Sequence, residues 1–318
     1  MKINKFFLSL ASATMLLTAC GTDDLELGNS TTSPVLANCP GVEFSLTTET
    51  NVEVDPSDTQ FNLTIVRQDS VAAEYDIKVL ENEDNTFSVP AKVSFAQGEK
   101  EQTITVTMKE GAAEGVPLAL SLTFDDNLKN PYTEGYKTLD LTSTIIKWEH
   151  MGKAYWKDGV LAGGFGIPPS LMYVDVDTAV TATSKKYRFM SPYGKVASDT
   201  DEIGATDGFT QNEEGDLTGN AGYIVISVTE DGAEMSLSTI GIDYGYGEMQ
   251  IGTIYGNLSS NISSYPLGTF TASTTGGRIV FPGNSLFLSD NDGAYPSGME
   301  SALYLSADDY KASLEEDE

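Results

Sequence analysis

From Val42 onward, apolar residues recur at every second position. Val42, Phe44 and Leu46 alternate with polar neighbours, as do Phe61, Leu63 and Ile65, then Tyr75, Ile77 and Val79, then Ile104, Val106 and Met108, then Leu118, Leu120 and Leu122. Successive side chains leave a strand on opposite sides, so this period predicts half-buried antiparallel strands. Turn-forming clusters separate them: Asp55-Pro56-Ser57-Asp58, residues 81–85, Gly98-Glu99-Lys100 and residues 111–115. With a last strand from Leu139 to Ile146, roughly seven strands in about 105 residues predict an immunoglobulin-like β-sandwich.

Past Trp148 the strand candidates continue at Ala154–Trp156, Met172–Val176, Tyr187–Met190, Tyr223–Val228, Glu234–Leu237, Met249–Ile254, Arg278–Phe281, Leu286–Leu288 and Ala302–Leu305. No run keeps a 3.6-residue apolar period beyond two turns. The whole chain therefore reads as all-β, the first sandwich being followed by a second β-sandwich or β-barrel domain. The expected layout is a signal peptide over 1–19, a tether over 20–40, the sandwich over 41–147, a second, ligand-binding domain over 148–312 and an acidic tail over 313–318. The join near Trp148 has almost no linker, which predicts two domains packed together.

The N-terminus is of another kind. Lys2 and Lys5 precede an apolar stretch from Phe6 to Leu17, too short to span a bilayer as a helix and typical of a secretion signal. It ends in Leu17-Thr18-Ala19-Cys20, which resembles the lipobox of bacterial lipoproteins and implies lipid attachment at the Cys20 thiol. Gly21-Thr22-Asp23-Asp24 then resembles the export signal of Bacteroidetes lipoproteins. That resemblance implies the outer membrane, facing the cell exterior, with the membrane reached through the N-terminal lipid. Residues 21–40, rich in Ser, Thr, Asn and Pro, read as a tether. Cys39 has no intrachain partner once Cys20 is lipidated, so both domains rest on hydrophobic cores rather than disulfides.

Two further stretches carry resemblances. Phe87 to Phe95 followed by Gly98 to Val106 resembles the Calx-beta domain, which implies the sandwich fold. The acidic pair through which such domains hold calcium has no counterpart in Lys109-Glu110-Gly111-Ala112-Ala113-Glu114-Gly115, so the fold carries over and the calcium site does not. Trp148 to Asp158 and Tyr187-Arg188-Phe189-Met190-Ser191-Pro192-Tyr193-Gly194 resemble a pattern of surface lipoproteins of gut Bacteroidetes, which implies localisation and β structure but no activity. Asp69-Ser70-Val71 and Asp177-Thr178-Ala179 resemble the O-glycosylation acceptor of the same bacteria.

Composition narrows the chemistry. Asp and Glu number 47 against 18 Lys and Arg, a net charge of −29 that becomes −31 when residues 1–19 leave with two lysines and no acid. Nucleic acid is excluded as a partner, because its phosphates need clustered basic residues. One histidine and two cysteines leave little for zinc or for nucleophile–imidazole catalysis. His150 at the domain join is expected to be a partly buried, hydrogen-bonded residue. No catalytic residue is assigned, and the chain is read as non-enzymatic. A glycosidase built on two carboxylates is the alternative among enzymes.

Cofactors are expected to be none. Only oxygen ligands remain for a metal, hence calcium. Asp290-Asn291-Asp292-Gly293 is the nearest local candidate, through Asp290 and Asp292. In an EF-hand register Leu288 would take the first ligand position and Met299 the closing one, so a solvated acidic hairpin turn is the favoured reading. Carbohydrate binding needs aromatic faces beside polar groups. Tyr244, Tyr246 and Tyr255 lie in a glycine-rich stretch, Tyr295 in another, and Tyr155 and Trp156 complete the candidate set. Glycan is thus the expected ligand, with outer-membrane transport or adhesion proteins as possible company. An adhesive subunit resembling Bacteroidetes fimbrillins is the rival. Maturation of those proteins needs an arginine ahead of the first strand, and the first arginine here is Arg67.

Overall fold

In the computed structural model, residues 39–210, 215–258 and 265–316 are described; Cys20 and the other N-terminal signals lie outside them. The strands in chain order are β1 (Glu43–Phe44), β2 (Asn51–Val54), β3 (Gln60–Val66), β4 (Ala73–Asp76), β5 (Lys78–Asn82), β6 (Phe87–Ser88), β7 (Lys92–Phe95), β8 (Glu101–Met108), β9 (Leu118–Thr123) and β10 (Thr138–Ile145). They continue as β11 (Glu149–Lys157), β12 (Leu171–Val180), β13 (Lys185–Met190), β14 (Asp216–Leu217), β15 (Tyr223–Val228), β16 (Ala233–Met235), β17 (Ser238–Asp243) and β18 (Glu248–Thr253). The last are β19 (Thr269–Thr271), β20 (Arg278–Phe281), β21 (Leu286–Ser289), β22 (Ala294–Pro296) and β23 (Ser301–Tyr304). Two helices matter below, α1 (Val160–Phe165) and α2 (Ala307–Glu316).

The chain falls into two compact units. Of the described residues, one comprises those up to Val52, Gln60–Lys109 and Leu118–Thr142; the other takes Glu53–Thr59, Glu110–Pro117 and those from Ser143 onward. The all-β expectation holds. In the N-terminal region two four-stranded sheets, β1-β3-β8-β6 and β2-β10-β9-β5, form the immunoglobulin-like sandwich, the first antiparallel throughout and the second with β2 parallel to β10, with β4-β7 as a short extra pair. Leu63, Ile65, Val106 and Leu122 have essentially no exposed surface, and Phe44 stacks on Phe124 with centroids 5.0 Å apart. Two details depart from simple alternation. Leu46 lies past the end of β1 and is exposed. The single strand expected through Tyr75, Ile77 and Val79 changes sheets at Ile77: β4 pairs with β7, β5 pairs with β9, and Val79 sits at a bulge facing solvent.

The second unit contains an eight-stranded antiparallel sheet in the order β16-β15-β13-β12-β11-β23-β20-β19. Ala233 of β16 and Gly268, next to β19, exchange hydrogen bonds of 2.7 and 2.9 Å, so the sheet nearly closes into a barrel. A five-stranded sheet, β14-β17-β18-β21-β22, shares its core. Trp156, Tyr187, Phe189 and Phe281 from the larger sheet meet Ile240, Ile251 and Leu288 from the smaller one there. The alternatives of barrel and sandwich are thus combined. Residues 307–316 form α2, which takes in the described part of the acidic stretch 313–318. Ser306 caps the start of this helix, its Oγ accepting from the Asp309 N–H at 3.1 Å and donating to the Asp309 carboxylate at 2.6 Å.

Candidate functional site

An open aromatic surface of the second unit is built where α1 meets two hairpins of the five-stranded sheet. Helix α1 starts at a buried cap. Asp158, with no exposed surface, accepts hydrogen bonds from the N–H groups of Val160 (2.9 Å), Leu161 (3.2 Å) and Ala162 (3.2 Å), which have no partners within the helix. Its fourth bond comes from the Tyr193 hydroxyl at 2.6 Å, and that oxygen accepts from Trp156 Nε1 at 2.6 Å. Burial pushes the Asp158 carboxyl above the usual carboxylate range, against the pull of these donors. Burial and the adjacent Asp158 charge push the Tyr193 phenol well above its usual value. Trp156, Asp158 and Tyr193 belong to the two sequence patterns of the surface-lipoprotein resemblance, and their common task is to hold α1.

The helix lies close on its neighbours because Gly163 has no side chain: a Cβ there would stand 2.4 Å from Ser297 Oγ. Gly166, with φ of 66°, ends the helix in the left-handed region that favours glycine. Phe165 is thereby presented at the surface, its ring 4.8 Å from that of Tyr244.

Tyr244-Gly245-Tyr246-Gly247 joins β17 to β18. Asp243 Oδ1 accepts from the N–H groups of Gly245 (2.6 Å) and Gly247 (3.0 Å), fixing the loop. Asp290-Asn291-Asp292-Gly293 is the turn between β21 and β22, where Asp290 Oδ1 accepts from the N–H groups of Asp292 (2.8 Å) and Gly293 (3.1 Å). The Asn291 N–H donates to the Tyr246 carbonyl at 3.0 Å and ties the two turns together. Between them and α1 opens a depression of about 390 Å³, within the roughly 300–1,000 Å³ range of small-molecule sites. Met249 and Leu288 form its floor, Phe165, Tyr246 and Tyr295 its walls, and Asp290 and Asp292 line it with carboxylates. The three wall rings are 43%, 57% and 49% exposed.

Tyr246, Tyr295, Asp290 and Asp292 are therefore brought together at one place, whereas Tyr244 is partly buried against the core and reaches the depression only through its contact with Phe165. Trp156 is withdrawn from the candidate set, because it is wholly buried in the core. Tyr155 is withdrawn as well: it points to the other side of β11, where Ala205, Ala302 and Tyr304 cover it, so neither of its faces is free. Tyr255 sits half-buried beyond the end of β18, outside the depression. Sequence reasoning missed Phe165, Met249 and Leu288. Phe165 alone had a signal, an aromatic flanked by Gly164 and Gly166 like the tyrosines that were chosen. The Asp290 turn is the acidic hairpin turn expected. Among the described residues no three His, Cys, Asp or Glu side chains are grouped to hold a metal ion.

Other features resolve into structure. A larger depression, about 490 Å³, is lined by Lys153, Tyr173, Met190, Pro192, Lys195 and Asp207 among others. Its cations are spoken for: Lys153 pairs with Asp201 at 2.6 Å and lies 4.1 Å from the Tyr173 ring centre, and Lys195 pairs with Asp207 at 2.5 Å. Hydrogen bonds from Lys195 and Ser198 hold the Asp207 carboxyl far below the usual range. His150 is exposed rather than partly buried as expected, lying 3.6 Å from Asp175 and 3.5 Å from Asp177. Ser70 is exposed in the loop after β3, whereas the Thr178 hydroxyl on β12 donates to the Lys186 carbonyl on β13.

No protein-family model matches the sequence, and no curated protein matches it. Among solved structures the chain is similar to a protein of unknown function from Bacteroides ovatus, at 11% identity and a TM-score of 0.27, over 83% of this chain and 92% of that one. A multidomain protein including DUF1735 from Bacteroides ovatus gives 11% identity and a TM-score of 0.27, over 82% and 93%. The calcium binding domain CBD12 of CALX1.1 gives 11% and 0.24, over 44% and 77%. At these scores the likeness assigns no ligand or activity to this chain.

Proposed function

We propose that this chain is a non-enzymatic, lipid-anchored protein of the cell envelope that binds carbohydrate at the depression between α1 and the two hairpins. The observation that carries the reading is the set of three half-exposed rings, Phe165, Tyr246 and Tyr295, around a concave opening beside the carboxylates of Asp290 and Asp292. Aromatic faces receive the C–H surface of a sugar ring, and carboxylate oxygens accept from its hydroxyls. Rings left this exposed without such a role are unusual so close together. Support for the anchor is the Cys20 motif and the secretion signal before it; the acidic Asp23-Asp24 pair supports the outer face of the outer membrane. The sandwich then serves as a spacer, and neighbouring transport or adhesion proteins are the partners such a location offers.

Affinity gel electrophoresis of the purified protein through neutral and acidic polysaccharides tests the reading. Retardation is expected in at least one gel. Each wall ring contributes about 1–2 kcal/mol from buried apolar area and stacking, so Tyr246→Ala and Tyr295→Ala should each weaken retention roughly 5- to 30-fold. Unchanged mobility in every polysaccharide would remove the carbohydrate claim.

A further inference from the structure

We propose that the depression selects uncharged glycans and rejects those carrying carboxylate or sulfate groups; this rests on the carbohydrate reading above. The argument starts from a gap in the sequence. Lysine and arginine are absent from residues 158–184, 196–277 and 279–310, the three stretches that supply α1, the five-stranded sheet and both turns. The same sheet and its turns carry five acids, Asp216, Asp243, Glu248, Asp290 and Asp292.

Two of these, Asp290 and Asp292, line the opening itself. Asp243 anchors the loop that bears Tyr246, and Asp216 lies opposite Asp243 in the pairing of β14 with β17. A uronate or sulfate seated on the rings would face Asp290 and Asp292 well inside the Debye length of about 10 Å at 0.1 M salt, with no cation on the same elements to receive it. Like charges set face to face in this way act against the wrong partner rather than for the right one. The charge of the whole chain, −29, adds a long-range term of the same sign that lowers the encounter rate for anionic polymers. A neutral sugar meets none of this and can donate its hydroxyls to the same oxygens.

The test holds the backbone polymer constant and changes only its charge. Amylose, galactomannan and mixed-linkage β-glucan are each cast in native gels beside their C6-carboxylate derivatives, and the purified full-length protein is run at 20 and 200 mM salt. At least one neutral polymer should retard the protein at least tenfold more strongly than its oxidised form at low salt, and the ratio should shrink at high salt. The double variant Asp290→Asn/Asp292→Asn keeps an acceptor oxygen for the turn and removes both charges, so its ratio should move toward one. An oxidised polymer bound as well as its neutral parent overturns the selectivity and leaves carbohydrate binding standing. A ratio unchanged in the double variant overturns its assignment to these two carboxylates. Absence of retardation in every gel, neutral and oxidised, ends the carbohydrate reading and the selectivity with it.

Discussion

Tyr193→Phe removes one oxygen atom from beneath the site and leaves the ring in place. The hydroxyl accepts from Trp156 Nε1 and donates to Asp158 Oδ1, each at 2.6 Å, and all three residues have no exposed surface. The indole N–H then has no acceptor, at about 1–3 kcal/mol for a stranded buried donor. Asp158 loses a charge-assisted bond worth roughly 1.5–3 kcal/mol, the lower end applying because three backbone N–H groups remain on it. The two losses share one hydroxyl and are coupled, so the net cost should be about 3–4 kcal/mol.

The same substitution carries a pH signature. Burial already sets the folded pKa of Asp158 above its unfolded value, and the Tyr193 hydrogen bond opposes that shift, so removing the bond raises it further. A raised folded pKa gives a contribution fully present below the unfolded pKa of about 4 and lost as pH climbs through the folded value. The variant's deficit relative to the parent should be greatest at neutral pH and shrink as pH falls toward that window. Urea unfolding followed by tryptophan fluorescence at pH 7 and pH 5 measures both, with the slope m unchanged because the same surface is exposed. A loss below 1 kcal/mol at pH 7, or a deficit that grows on acidification, would refute the claim that this network supports α1.

Two other perturbations probe the site and the anchor. Gly247 has φ of 98°, and a Cβ there would stand 2.2 Å from Asn291 Nδ2, so Gly247→Ala should cost about 1–2 kcal/mol in thermal or urea unfolding and weaken polysaccharide retention by spreading the two turns. Retention equal to the parent's would show that the coupling of the turns does not shape the site. Cys20→Ser should move the protein from the detergent phase to the aqueous phase in a cloud-point partition of whole cells, and a variant that stays in the detergent phase would contradict lipid attachment at Cys20.

The alternation of Phe61, Leu63 and Ile65 or of Ile104, Val106 and Met108 was readable because each of these strands pairs within one sheet and faces one core. Alternation fails where that condition fails. Tyr75 to Val79 keeps the period of two while the chain passes from one sheet to another at Ile77, a change set by which partners compete for each half and not by the apolar pattern. Ala154-Tyr155-Trp156 fails for the opposite reason: this end of β11 is covered on both sides, so period two carries no information about exposure there. The short strand β22 and the helix α1 escaped because glycine, proline and a buried cap, rather than apolar period, specify them.

The site was half legible for a related physical reason. Rings in glycine-rich turns announce themselves, since a turn held by an Asx carboxylate and flanked by glycines has little with which to cover an aromatic side chain; Tyr246 follows that rule, whereas Tyr295, expected in a glycine loop, stands on β22 just past such a turn and is left open because β22 is an edge strand. Met249 and Leu288, the floor of the depression, are ordinary core residues on strands, and only the packing of β18 against β21 puts them under the rings. Trp156 misled because its sequence pattern marks a residue of consequence without saying which kind. The structure supplies the distinction: Trp156, Tyr193 and Asp158 form a buried chain of hydrogen bonds that fixes the start of α1, and Phe165 at the other end of that helix is what the surface displays. A sequence pattern can therefore record the support of a surface while the rings that the surface displays fall on positions one helix away. Substitutions at Phe165, Tyr246 and Tyr295 should consequently change what is bound, whereas substitutions at Trp156, Asp158 and Tyr193 should change whether the second unit holds together.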